Sequence, residues 1–265
     1  MSERARNRRD RAAAVQAAAE STRRRERAVL FTGIGVVALV SVGLIAFAWL
    51  LASKGNEQAP LVTATPNPAA LAPQGTIPAG ELLEYGVVQG SAATPTTPTL
   101  ELWEDFQCPA CGNLEALNGT GIEKLVDEGL IKLVWRPTTF IDDKINNDAS
   151  LRAAAAWGCA IDAGKTREYH AAIFANQPAT EGDGYSNELL LSLGEQVGIT
   201  GADLDAFKAC VTEGTYLSWV ANSRAAFDKE GIQSTPTGKL NGVLVDNNVL
   251  ADDAALREII AQTAK

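Results

Sequence analysis

The chain is poor in the residues that most metal and acid–base centres draw on. It has one histidine, four cysteines and one methionine in 265 residues, and aromatic residues make up 6% of it. A single imidazole, His170, excludes chemistry that needs several. A structural zinc site takes four ligands, usually as two close pairs. Here only Cys108 and Cys111 are close, while Cys159 and Cys210 stand alone, so no metal is expected. No collagen, coiled-coil or other internal repeat is visible. What is abundant is apolar surface: 46% of residues are hydrophobic, which excludes a mostly disordered chain and allows one or two packed domains.

Basic residues are scarce outside the first 27 positions. Residues 1–27 carry nine Arg against four acids, a net of +5, whereas residues 28–265 carry 14 basic and 28 acidic side chains, a net of -14. The wide acidic body argues against nucleic acid as a partner. Between the two lie residues 28–52, 25 positions without a charge or a proline. At about 1.5 Å per residue they reach roughly 37 Å, enough to cross a ~30 Å hydrocarbon core. Arg23, Arg24, Arg25 and Arg27 flank the run, and positive flanks stay cytoplasmic. The expected layout is a cytoplasmic segment 1–27, a single transmembrane anchor 28–52 and an extracytoplasmic body in the cell membrane. The alternative is a cleaved secretory signal, for which the apolar run is long. Both export the body.

Seven of the eleven prolines fall in residues 53–98. Their fixed φ and missing N–H discourage helix and central strand, so 53–80 reads as a linker and 81–265 as the folded domain. Residues 81–88 suggest an early edge strand, 99–106 and 130–136 further strands, and 109–128 a helix that Gly129 stops. From about 147 to 231 the pattern is helical. Thr237–Leu240 and Val243–Val245 flank Asn241-Gly242, a strong hairpin signal, and Asp252 or Asp253 opens a last helix. This order predicts an α/β sheet with a helical insertion.

The chemistry-bearing feature is Cys108-Pro109-Ala110-Cys111, where a strand runs into a helix. Unsatisfied N–H groups and the macrodipole at a helix start favour an anion. A thiolate is the species that attacks disulfides, so Cys108 is expected to be the exposed attacking sulfur and Cys111, one turn deeper, the resolving one. Pro109 suits the first helical position, which needs no N–H. A purely structural 108–111 bond would close too short a loop to stabilise much.

The stretch Asp105-Phe106-Gln107-Cys108-Pro109-Ala110-Cys111 resembles the active site of the DsbA-like branch of the thioredoxin superfamily, especially membrane-anchored bacterial members. The resemblance runs from about residue 82 to 265. It includes Glu168-Tyr169-His170, Ala175-Asn176-Gln177-Pro178 and Ser234-Thr235-Pro236-Thr237 before Asn241-Gly242. It implies a thioredoxin fold with an inserted helical domain and a redox-active disulfide in place of any cofactor. It makes Thr235-Pro236 a cis-proline motif facing the sulfurs, where a substrate peptide pairs as an extra strand. It also implies a quinone-linked membrane reoxidant of the DsbB or vitamin K epoxide reductase type.

Two positions depart from the pattern. Ala110 stands where strongly oxidising relatives carry His, which implies a milder oxidant. Leu102 stands where relatives bury an acid, with Glu101 and Glu104 on either side; one of them is a candidate proton shuttle for Cys111, against the plainer reading of solvated strand-end charges. Cys159 and Cys210, in separate helices of the insertion, form a structural disulfide if the body is exported, with a relay pair or two free thiols as alternatives. His170, Trp103 and Trp135 read as packed residues. The leading expectation is a thiol oxidase acting on exported proteins with reduced cysteines. The alternatives are a reductase or isomerase on the same fold, or a tethered, non-catalytic binding domain.

Overall fold

The computed structural model describes residues 61–90 and 96–263. The expected cytoplasmic segment 1–27, the span 28–52 and the first part of the linker, 53–60, lie outside them. Among the described residues no helix is long and apolar enough to cross a membrane.

Five strands form one mixed sheet: β1 (Val87–Gln89), β2 (Thr99–Glu104), β3 (Lys132–Pro137), β4 (Thr237–Leu240) and β5 (Val243–Val245), in the order β1-β3-β2-β4-β5. Only β2 and β3 run parallel, with Leu102 opposite Trp135 and Trp103 opposite Arg136; the other neighbours are antiparallel. The parallel pair is joined by helix α1 (Pro109–Leu114), a π-helical turn (Glu115–Gly119) and helix α2 (Thr120–Asp127), which together occupy the single helix expected over 109–128. Asn241 and Gly242, at φ 49° and 81°, make the β4–β5 turn, which needs two left-handed residues.

Because side chains alternate along a strand, the two faces of β2 have different fates. Leu100 and Leu102 join Leu133 and Trp135 of β3 in the main core, with Leu114, Ile122 and Leu125 of the crossover helices. Trp103 lies on the opposite face, in a smaller cluster with Ala226 and Phe227. Both faces are covered, so β2 reads as a nearly continuous buried run.

Between β3 and β4 the chain makes six helices: α3 (Phe140–Ile145), α4 (Ala149–Asp162), α5 (Thr166–Ala175), α6 (Asn187–Gln196), α7 (Gly201–Glu213) and α8 (Leu217–Lys229). The insertion therefore opens before residue 147, with a short helix whose sequence, FIDDKI, is too brief for periodicity to reveal. Helix α4 is buried nearly all round by its run of alanines, and α5, α7 and α8 pack on it. After β5 come α9 (Asn247–Leu250) and α10 (Asp253–Thr263), the latter against α2.

The second half of the expected linker is not a free tether. Residues 61–80 lie against the helical block: Val62 N donates to Asp148 at 2.7 Å, Gln74 N to Asp162 at 2.9 Å, and Asn222 Nδ2 to the Asn67 carbonyl at 2.8 Å. Proline forbids helix and central strand but not an extended strap whose remaining N–H groups are met by side chains. The expected strand at 81–88 is short for a related reason. Leu83 and Tyr85 adopt positive φ, 62° and 66°, so 81–85 is a turn and pairing begins only at Val87.

Candidate active site

Strand β2 delivers Asp105–Gln107 to the start of α1, where Cys108 is the N-cap with extended dihedrals (φ -71°, ψ 117°) and Pro109 is the first helical residue. The Cys108 carbonyl accepts from Cys111 N and Gly112 N, each at 3.1 Å. Both cysteines are free thiols. Cys111 is wholly buried, and Cys108, expected to be exposed, keeps only 6% of its surface. The Thr235 loop covers it: the thiol donates to the Thr235 carbonyl at 3.3 Å, and the Thr235-Pro236 peptide is cis.

The Cys108 thiol is lowered from 9.0 to about 6. The largest cause is the hydrogen bond from Cys111, opposed by burial and aided by the Thr235 side chain and the N–H groups of Cys111 and Ala110. A carbonyl can serve only the protonated sulfur, so these donors are what hold the thiolate. Helix-start N–H groups take part as expected, but the neighbouring thiol outweighs them. Burial pushes Cys111 well above its usual range, and the charge on Cys108 adds to this. At neutral pH the pair is therefore one thiolate and one thiol.

The two candidate shuttle acids separate. Glu101 points to the face away from the cysteines, where Arg136 Nη1 donates to it at 2.6 Å and Lys239 lies 3.7 Å off. Arg136 is itself buried and stacked 3.9 Å over Trp103. Glu101 is thus a structural counter-ion, and the shuttle reading fails for it. Glu104 lies on the cysteine face, buried, and its charge interacts with those of Cys108 and Cys111. Burial raises its carboxyl far above the usual range.

His170 is packed, stacked on Trp135 with centroids 4.4 Å apart, but it also reaches Glu104 Oε2 with Nε2 at 3.2 Å. Glu115 completes the group, hydrogen-bonded to Glu104 and 3.9 Å from His170 Nδ1. Burial and then Glu104 raise the Glu115 carboxyl, while burial lowers His170. One potential ligand atom from each residue lies within 4.8 Å of the others. With Glu115 hydrogen-bonded to Glu104 and His170 against both, the trio forms a buried acid–base cluster. Sequence reasoning missed Glu115; its place four residues after Cys111, on the same helical face, was the available signal.

The insertion holds the cysteine loop from the other side. Tyr185 Oη and Gln177 Nε2 donate to the Phe106 carbonyl at 2.6 and 2.8 Å, and Gln177 also reaches the Cys108 carbonyl at 3.0 Å. A side chain at Gly112 would collide with the Gln177 amide. Asp105 accepts from Ser150 Oγ, Gln107 N and Ile141 N at 2.6–2.9 Å, and burial still lifts it to about 7. Gln107 in turn donates to Asp142 at 2.6 Å. Farther off, Cys159 in α4 and Cys210 in α7 form a disulfide with S–S 2.02 Å.

A family model described as thioredoxin matches residues 83–261. No curated protein matches the chain. Among solved structures, oxidised DsbA of Mycobacterium tuberculosis is 30% identical, with 68% of this chain and 92% of that one covered and a TM-score of 0.57. The reduced disulfide bond oxidoreductase DsbG of the same organism is 29% identical over 67% and 86% of the chains, TM-score 0.57. MdbA, a thiol-disulfide oxidoreductase of Actinomyces oris, is 25% identical over 74% and 99%, TM-score 0.59.

Proposed function

Since the chain belongs to the thioredoxin family and is a protein disulfide oxidoreductase of DsbA type, we propose that it is an oxidase that donates a Cys108–Cys111 disulfide to exported proteins. The observation that carries this reading is the placement of Cys108 at the start of α1, beside Cys111 and under the cis Thr235-Pro236 loop, a setting that lowers its thiol. Stabilising the reduced form makes the disulfide a better oxidant. In the reaction a substrate thiolate attacks Cys108 Sγ, the Cys108–Cys111 bond breaks, and Cys111 leaves and takes a proton from Glu104. A second substrate thiolate then attacks the mixed disulfide and releases Cys108 as thiolate. The substrate peptide pairs with the backbone at Thr235-Pro236, which is indifferent to side chains and suits varied clients. Pro109 and Ala110 add no competing charge between the sulfurs.

Residues 28–52 anchor the enzyme in the cell membrane with residues 1–27 in the cytoplasm and the catalytic domain outside. This is supported by the apolar run and its Arg-rich flank. A quinone-linked membrane partner of the DsbB or vitamin K epoxide reductase type restores the disulfide. The test is a reduced, unfolded client protein mixed with oxidised enzyme. Cys108→Ser should abolish disulfide transfer, and Cys111→Ser should accumulate mixed disulfides at Cys108. Unimpaired transfer by Cys108→Ser would overturn the assignment, and a reduction potential near thioredoxin's, about -270 mV, would make the enzyme a reductase.

A further inference from the structure

We propose that Glu115, set in place by the π-helical turn and by the space above Gly119, is the proton outlet of the buried Cys111–Glu104 pair, with His170 closing the cluster. The inference rests on the oxidoreductase reading and extends its proton path from the sulfur to solvent.

Each turnover moves a proton at Cys111, and neither Cys111 nor Glu104 can exchange it with water directly. Cys111 has no exposed surface, and the Glu104 side chain keeps 5%. Among the described residues Glu104 Oε1 is buried and takes no hydrogen bond from a nitrogen, hydroxyl or thiol, and the Glu104 charge acts on Cys111, which makes this carboxyl the group that receives the sulfur's proton. The proton must then pass to a group with an exit. Glu115 is that group: its side chain is 11% exposed, it donates to Glu104, and half-buried Glu123 lies beyond it. Exposure thus rises along Cys111, Glu104, Glu115 and Glu123.

Two features of the chain set Glu115 there. The helix that carries the cysteines widens into a π turn that begins at Glu115, and such turns, rare in general, are frequent at functional sites. Gly119 ends that turn, and a Cβ on it would collide with the Glu115 carboxylate. The groups that face Glu115 are Glu104 from β2, His170 from α5 and Glu123 from α2. Around Glu123 stand Arg167 and Glu168 of α5 and Asp127 of α2. Among the described residues no cation stands against Glu104 and Glu115 except a protonated His170, so the two carboxyls share a proton instead of both ionising.

The step balances. In reoxidation Cys108 is joined to a partner sulfur; Cys111 gives its proton to Glu104 and attacks Cys108 Sγ. The Cys108–Cys111 bond forms, the partner bond breaks, and the electron pair leaves on the partner sulfur. Glu115 releases its own proton to solvent and takes the one on Glu104. In oxidation of a client the same path runs inward. Glu115 acts through Glu104 and never touches sulfur.

The experiment mixes the reduced protein with oxidised glutathione and quenches with acid at intervals. Glutathionylated Cys108 reports attack, and its loss reports resolution by Cys111. In the unmodified protein, resolution should be nearly flat between about pH 6 and 8. Glu115→Gln should slow resolution about tenfold at neutral pH and make it rise with hydroxide, with formation of the mixed disulfide unchanged. Glu115→Asp should recover most of the rate. Gly119→Ala, which displaces only the flexible end of Glu115 and favours helix, should slow resolution with no loss of thermal stability. Wild-type resolution rates and pH profiles in both Glu115→Gln and Gly119→Ala would overturn the outlet alone. Absence of any mixed disulfide in the unmodified protein would overturn the oxidoreductase reading beneath it.

Discussion

At the residue scale the decisive asymmetry is between two sulfurs three positions apart. Cys108 is held as thiolate by Cys111, Thr235 and the first N–H groups of α1, while Cys111 stays protonated because it is sealed. This asymmetry links redox state to stability. The Cys108 thiol is lowered from 9.0 to about 6 on folding, so the unfolded reduced chain holds a proton there that the folded one has lost. The resulting stabilisation of the reduced form is complete above about pH 9 and disappears as pH falls through about 6. At pH 7 it is about 1.4 kcal/mol, equivalent to roughly 30 mV. Denaturant unfolding of the reduced and oxidised proteins should show their stability difference shifting toward the reduced form by up to about 1.4 kcal/mol per pH unit across that window. A difference independent of pH would contradict the shift. The cysteine pair was legible from strand, proline and helix signals alone. For Glu115 only the spacing of four from Cys111 was legible, because its role depends on the π turn and on Glu104 arriving from another element.

At the element scale, the period of two along β2 explains which acid serves the sulfurs. Glu101 and Glu104 are three residues apart, so they face opposite sides of the sheet. Sequence reasoning left open which of the two serves Cys111 and did not use this parity, which was available once 99–106 was read as a strand. Glu101 instead neutralises Arg136 across the β2–β3 pair, with Glu230 of the segment after α8 as second partner. Removing one member of a buried ion pair leaves an uncompensated charge. Glu101→Ala should therefore lose about 3 kcal/mol in denaturant unfolding, while the Cys108 alkylation profile stays unchanged. A shifted alkylation profile with unaltered stability would return Glu101 to the active site. The hairpin at Asn241-Gly242 and the five main helices of the insertion followed from local signals. Helix α3 did not, because six residues are fewer than two turns.

At the scale of the whole molecule, the strap 61–80 moves the start of the folded unit outward. Composition alone identified the proline-rich stretch but not its docking, since the groups that receive it, Asp148, Asp162 and Asn222, lie 86 to 155 positions away. Two truncations separate the readings. A chain beginning at residue 61 should unfold at the same temperature as one that includes more of the linker. A chain beginning at residue 81 loses these hydrogen bonds, and it should melt several degrees lower, about 2–4 °C for each kcal/mol lost in a domain of this size. Equal melting of both would restore the free-tether reading. The disulfide between α4 and α7 closes a separation of 51 residues within the same block that the strap crosses. Strap and disulfide thus brace the insertion that supplies Tyr185 and Gln177 to the cysteine loop.

Disulfide donation by this enzyme requires Cys108 to be charged at neutral pH beside an uncharged Cys111. The most direct test follows the ultraviolet absorbance of the thiolate in the reduced protein as pH is raised, with Cys108→Ser as the blank. A single transition centred at about pH 6, absent from the blank, is the expected result. A transition near 9, where an ordinary cysteine ionises, would contradict it.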